Sequence, residues 1–199
     1  MGTDPKSSSG FVSRAGQKLD FALSEFGLEV AGKICADLGC STGGFVDCLL
    51  QRGATRVYAV DTGYGVLDWK LRNDGRVVVM ERTNAMHVEL PEPVQIVTID
   101  VSWTRQRHIL PAAKRLLTAN GAIVSLVKPH YESDPALLRD GVLGAESLDP
   151  VLAAVRRTVQ DCRLIWVQHV VSPVKGTGGN TEILALLKHS IDSMSGPPA

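Results

Sequence analysis

The chain has 199 residues, 44% hydrophobic and 21% charged, which is enough for one well-cored domain and too few for two comfortable ones. Its 21 basic and 21 acidic side chains cancel to a formal net charge of zero, so no overall positive field advertises nucleic-acid binding and only a local patch remains open. No run approaches the roughly 18 apolar residues of a membrane span, and the opening MGTDPKSSSG lacks the apolar core of a signal peptide.

Residues 1–10 read as a flexible tail or an expression remnant and residues 191–199 as a second tail, leaving 11–190 as the folded domain. From Ser13 to Phe26, Leu19, Ala22, Leu23 and Phe26 recur at helical spacing behind a possible Ser13 cap. Gly27 and Gly32 break that pattern before KICADLG, a short apolar run of strand type. Alternation follows: 43–52 helix, RVYAVD strand, 66–72 short helix, RVVVMER strand and VQIVTIDVS strand. Then come 106–117 helix, GAIVSLVKP strand, 150–161 helix, and RLIWVQHVV and TEILALLK as a final strand pair. Strands this apolar, alternating with helices, argue a parallel sheet covered on both faces.

Between His130 and Leu148 the segment HYESDPALLRDGVLGAESL reads as a long structureless, substrate-facing loop. The four cysteines, Cys35, Cys40, Cys48 and Cys162, include no C-x-x-C pair. They read as buried free thiols in a reduced, cytoplasmic protein rather than as disulfide or metal ligands.

The stretch ADLGCSTGGF admits two chemistries. Gly39-Cys40-Ser41-Thr42-Gly43 fits the G-x-S-x-G elbow that exposes a nucleophilic serine, but such an elbow normally sits deep in the sheet, with an acid and then a histidine following in the chain. Here it lies on the first strand, and His87, His108, His130, His169 and His189 are candidate bases, although a lone histidine is more often a surface or satisfied core residue. A glycine turn that closes the first strand and opens a helix is also where a doubly wound sheet takes its cofactor. Asp61 ends the second strand 22 residues after Gly39, near the separation at which an acid meets a cofactor ribose. The glycine spacing is not G-x-G-x-x-G, and no P-loop is present. Two more strand ends carry charge towards the same mouth, Asp100 closing VQIVTID and Lys128 closing IVSLVKP.

VSRAGQKL, DLGCSTGGF, VYAVDTGYG, ERTN, TIDVS, LVKP and GGNTEILALL occur in one order. That order resembles the FtsJ-like RNA 2′-O-methyltransferases, and STGGF, GYG and ERTN resemble their TlyA/YqxC, haemolysin-like branch. The resemblance covers Phe11 to Lys188. It implies a Rossmann-like class I methyltransferase fold: a seven-stranded, mostly parallel sheet with an antiparallel last strand and helices on both faces. It implies a Lys-Asp-Lys-Glu tetrad at Lys18, Asp100, Lys128 and Glu182, and no metal. It also implies S-adenosylmethionine at Asp37, Gly39, Ser41, Thr42, Gly43, Gly44, Phe45 and Asp100, with its ribose at Asp61 and its adenine near Asn84. RNA, ribosomal RNA or ribosomal subunits in particular, is the implied partner; no membrane is.

In-line methyl transfer to a ribose oxygen depends on alignment. Lys128 is then either the base or the group that positions the hydroxyl, since a lysine pKa of about 10.4 leaves little neutral amine at pH 7. Positioning is the safer role, with Asp100 and Glu182 as orienting groups. The branch carries a small N-terminal RNA-binding domain for which this chain shows no counterpart. Trp103-Thr104-Arg105 replaces a more usual apolar pair, and Arg105, Arg107, Arg139 and Lys175 are candidate phosphate contacts. The rival readings are a cofactor-fold RNA-binding or scaffold protein without turnover, and a methyltransferase of a non-RNA substrate.

Overall fold

The computed structural model describes residues 10–190, so both expected tails, apart from Gly10, lie outside the described residues. Short apolar runs rich in valine and isoleucine form β1 (Ile34–Leu38), β2 (Arg56–Val60), β3 (Val77–Met80), β4 (Val94–Ile99), β5 (Leu117–Val127), β6 (Leu164–Val171) and β7 (Ile183–His189). They assemble in the order β3-β2-β1-β4-β5-β7-β6. The first five pair in parallel, and β7 runs antiparallel to both of its neighbours. This is the expected seven-stranded sheet.

Period-two alternation sends successive side chains to opposite faces. In β5, Ile123 and Val127 enter the core on one face while Val124 and Leu126 enter the core on the other. The second face is covered by α1 (Ala15–Phe26) and α2 (Gly44–Gln51), with Leu71 of α3 (Trp69–Arg72) packed beside them. The first is covered by α4 (Gln106–Leu116) and α6 (Leu148–Asp161), through Ile109, Leu110, Ala113, Leu152 and Val155. Each fully buried leucine or isoleucine contributes about 1.5–3 kcal/mol over an exposed one. No helix among the described residues is long and apolar enough to cross a membrane.

Two local expectations fail. Ser13 does not cap α1: the cap position is Arg14 and no side chain bonds there. The Ser13 hydroxyl instead lies against Gly44, where a Cβ would collide with it. The 130–148 segment is not structureless. It contains the short helix α5 (Pro129–Glu132), a 3₁₀ turn at Pro135–Leu137, a hairpin pairing Leu138–Arg139 with Val142–Leu143, and a second 3₁₀ turn at Ala145–Ser147. Two-residue strands carry no periodicity for a sequence pattern to reveal.

Strand order reverses between β1 and β4, so the crevice beyond their carboxyl ends is where a doubly wound sheet binds ligands. Asp100 donates its backbone N–H to the Leu38 carbonyl at 3.0 Å, which joins the two strand exits.

Candidate active site

Gly39 leaves β1 at φ +87, and a Cβ there would stand 2.7 Å from the Asp100 carbonyl oxygen. Only glycine permits both that conformation and that approach. Ser41 follows at φ 48, a conformation unusual for a residue with a side chain. The Asp61 carboxylate holds the turn open by accepting from Ser41 N–H at 2.8 Å and from Gly63 N–H at 2.7 Å. Asn84 closes its own turn by accepting from the Met86 N–H at 2.9 Å. It adjoins Thr83, whose N–H donates to the Asp61 carbonyl.

The rest of the glycine motif has packing to satisfy. At Gly43, φ +97, a Cβ would run into Leu71 and Leu67. The Phe45 ring is buried in the core, so it offers a ligand only its backbone at the start of α2. Thr42 is exposed beside them. Ser41 takes part in no hydrogen bond to a histidine among the described residues, so it lacks the base that a nucleophilic serine needs.

The four charged residues expected from opposite ends of the chain converge as two ion pairs. Lys18 of α1 donates to Glu182 Oε2 at 2.5 Å, across 164 residues of sequence. Lys128, at the exit of β5, donates to Asp100 Oδ1 at 2.7 Å and to the Val101 carbonyl at 3.1 Å. Glu182 reaches the same rim because β7 is antiparallel, so the residue before its first position lies where the parallel strands end. His130 sits within the fields of both pairs: Glu182 raises and Lys128 lowers its tendency to protonate, while burial, the largest influence, pushes its pKa down.

Burial pushes the Asp37 carboxyl up to about 8, with the charges of Asp100 and Asp61 adding to the effect, although a 2.6 Å hydrogen bond from Thr98 opposes it. Burial also pushes Cys35 and Cys48 up to about 12, and Cys40 higher still, with Asp37, Asp61 and Glu81 reinforcing the last. These thiols are chemically quiet. The end of β1 is therefore ringed by carboxyl groups.

Several contacts were not legible in the sequence, where Trp103 stood out only as a departure from an apolar pair. Trp103 is 83% exposed, adopts φ 60, and stacks on Tyr131 with ring centroids 4.9 Å apart. Lys128 Nζ lies 5.8 Å from the centroid of the Tyr131 ring. The Arg82 guanidinium lies over exposed Tyr64 at 4.3 Å. Buried Asp47 accepts from Val12 N–H and Gln51, fixing the segment before α1 against α2. Glu132 accepts from the Gln106 N–H at 2.7 Å and so caps α4 from α5. Of the candidate phosphate contacts, Arg105 donates to the Ser133 carbonyl and Lys175 to Thr181, while Arg107 and Arg139 are exposed.

A doubly wound sheet of this strand order, with its glycine turn and charged strand ends at one rim, defines a Rossmann-like methyltransferase fold. The profile of the FtsJ-like methyltransferase family matches residues 11–189, and the chain belongs to that family. Among its relatives, Hemolysin A of Brachyspira hyodysenteriae is 39% identical over 188 residues, 88% of this chain and 75% of that one. The 16S/23S rRNA (cytidine-2′-O)-methyltransferase TlyA of Mycobacterium tuberculosis is 42% identical over 194 residues, 92% of this chain and 70% of that one. A solved structure from Streptococcus thermophilus, described under the hemolysin name, superposes with a TM-score of 0.89 at 38% identity, covering 94% of this chain and 70% of that one. Across the curated relatives the chain spans 64% to 75% of their length.

Proposed function

We propose that the chain transfers a methyl group from S-adenosylmethionine to a ribose 2′-hydroxyl of RNA, with ribosomal RNA as the substrate and the cytoplasm as the place of reaction. The carrying observation is that both Lys–carboxylate pairs meet the rim that holds the glycine turn and Asp61. The relatives named as rRNA (cytidine-2′-O)-methyltransferases support a ribose acceptor.

The cofactor supplies an electrophilic methyl group on a positively charged sulfur, and the residues present suit it. The carboxylates of Asp61 and Asp100 put negative charge beside the end of β1, which favours a cation there, while buried Asp37, raised to about 8, keeps its proton and serves as a polar wall. Each Asp61 oxygen already accepts one backbone N–H and has a lone pair left for a ribose hydroxyl. Asp37, Gly39, Ser41, Thr42, Gly43, Gly44, Phe45 and Asp100 form the cofactor cradle in this reading, with Asn84 at the adenine end.

An ammonium has three N–H donors. Lys128 uses two, on Asp100 and Val101, and keeps one for the acceptor oxygen. Held this way it is a donor that orients the hydroxyl oxygen; as the oxygen–methyl bond forms and the methyl–sulfur bond breaks to leave a neutral thioether, the hydroxyl proton passes to solvent water and the ammonium stabilises the charge on oxygen meanwhile. Asp100 and Glu182 each pair with one of the two ammonium groups and orient it. A scaffold without turnover gives no reason to converge two lysines and two acids on one rim.

The test is incubation with tritiated S-adenosylmethionine and ribosomal subunits. The expected result is labelled RNA from the wild type and labelling about 10²–10³-fold slower from Lys128→Ala, with cofactor binding retained by both. Label appearing in ribosomal protein, or equal labelling by both proteins, overturns the reading.

A further inference from the structure

Asn180 lies two residues before Glu182 and is buried. Its Oδ1 accepts from the Leu143 N–H at 3.1 Å, and its Nδ2 donates to the Gly141 carbonyl at 2.9 Å. One amide thus uses both ends on the backbone of the 138–143 hairpin. That hairpin packs on α5, the helix that follows Lys128 directly.

The loop carrying Asn180 is itself closed. Gly176 donates its N–H to the Asn180 carbonyl at 3.0 Å, and Lys175 bonds Thr181 at 2.8 Å. Gly176 lies so close to the Glu182 side chain that a Cβ there would strike the carboxylate. A Cβ at Gly178 would lie 3.8 Å from Val142 of the hairpin. The Ser172 N–H donates to the Glu182 carbonyl at 2.9 Å, which anchors the other end of the loop. Loop, hairpin and Glu182 therefore share one set of contacts, and Asn180 makes the polar ones that join hairpin to loop.

We propose that Asn180 is a positioning residue that ties the substrate-facing hairpin to Glu182, so that hairpin and Lys18–Glu182 pair are held in register. The hairpin has two-residue strands and exposes Arg139, too little structure to stand alone in water. A buried amide that loses its partners leaves two backbone groups unsatisfied. Losing Asn180 thus loosens the hairpin first and the seat of Glu182 second, without touching the cofactor cradle.

The experiment compares wild type, Asn180→Ala and the isosteric Asn180→Asp, which retains the acceptor for Leu143 but not the donor for Gly141. Amide exchange read by mass spectrometry is expected to speed up at least about tenfold at 138–143 and 176–182 in Asn180→Ala, with β1 to β5 unchanged. Acetylation by acetic anhydride is expected to rise several-fold at Lys18 and not at Lys128, which separates a loosened pair from general unfolding. Asn180→Asp is expected to fall between the two.

The kinetic arm rests on the RNA reading: kcat on ribosomal subunits falls about tenfold in Asn180→Ala while the KM for S-adenosylmethionine holds. If the wild type labels no RNA, that reading fails, and exchange and acetylation still decide the coupling. Unchanged exchange in the hairpin, or faster exchange there with Lys18 as unreactive as in wild type, overturns the proposal.

Discussion

On the side of the mouth proposed for the cofactor, Gly39, Ser41 and Asp61 fall within one strand–helix–strand unit: Gly39 N–H donates to the Val60 carbonyl, and Ser41 N–H to the Asp61 carboxylate. On the acceptor side, Lys18 meets Glu182 across 164 residues, and the hairpin is tied to a loop some forty residues further on through Asn180. The first region is fixed by local geometry, in which a glycine or an acid has one place to go. The second is fixed by side chains that meet only once the whole sheet has formed. Changes on the cofactor side should therefore act on binding and folding, and changes on the acceptor side on turnover.

The largest effect expected is on the acceptor side. In the proposed reading Lys128→Ala removes the donor for the acceptor oxygen, and kcat should fall about 10²–10³-fold with the cofactor Kd unchanged by calorimetry. An equal loss of cofactor affinity would erase the distinction between the two regions.

Gly39→Ala tests the other side. A methyl group at φ +87, 2.7 Å from the Asp100 oxygen, forces β1 and β4 apart. The expected outcome is a loss of about 1–3 kcal/mol in urea unfolding, together with weakened cofactor binding. Asp61→Ala comes next. It removes the acceptor of the Ser41 and Gly63 N–H groups and the carboxylate proposed for the ribose, and cofactor affinity should drop about tenfold or more, in line with about 1.5–3 kcal/mol for a hydrogen bond to a charged group, while the sheet stays folded by circular dichroism.

A smaller effect follows from Asp37, whose carboxyl is raised from 3.8 to about 8 by burial. The folded chain keeps this proton where the unfolded chain has lost it. The contribution to stability is therefore complete below about pH 4 and is lost as pH rises to about 8. In melting curves without cofactor, Asp37→Asn should match wild type near pH 4 and gain on it steadily up to pH 8. A constant difference would contradict the assignment. The smallest effect is a null one: Cys35, Cys40 and Cys48, buried and pushed well above the usual thiol range, should resist iodoacetamide at pH 8 until the protein is unfolded.

The same contrast governs what the sequence made legible. The strands are legible because runs such as VQIVTID and IVSLV combine β-branched residues with charged exits, and Asp100 and Lys128 follow from those exits. Asp61 follows from its distance to Gly39. Lys18 and Glu182 carry no local signal: one sits on an amphipathic helix and the other before a strand, and only family resemblance paired them. Asn180 lies in the quoted GGNTE run, yet its partners at Gly141 and Leu143 belong to strands of two residues. Ser13 misled for a related reason, since an N-terminal serine beside a helix has a strong capping preference and the nearby glycine of α2 offered closer packing.

The central claim is that the rim formed by β1, β4, β5 and β7 carries methyl transfer to a ribose oxygen. Its most direct test is to digest ribosomal RNA, after reaction with methyl-labelled S-adenosylmethionine, to nucleosides and identify the labelled one by mass spectrometry. A 2′-O-methylated nucleoside formed by wild type, and formed about 10²–10³-fold more slowly by Lys128→Ala, is the predicted result. A base-methylated nucleoside, or undiminished 2′-O-methylation by Lys128→Ala, would contradict it.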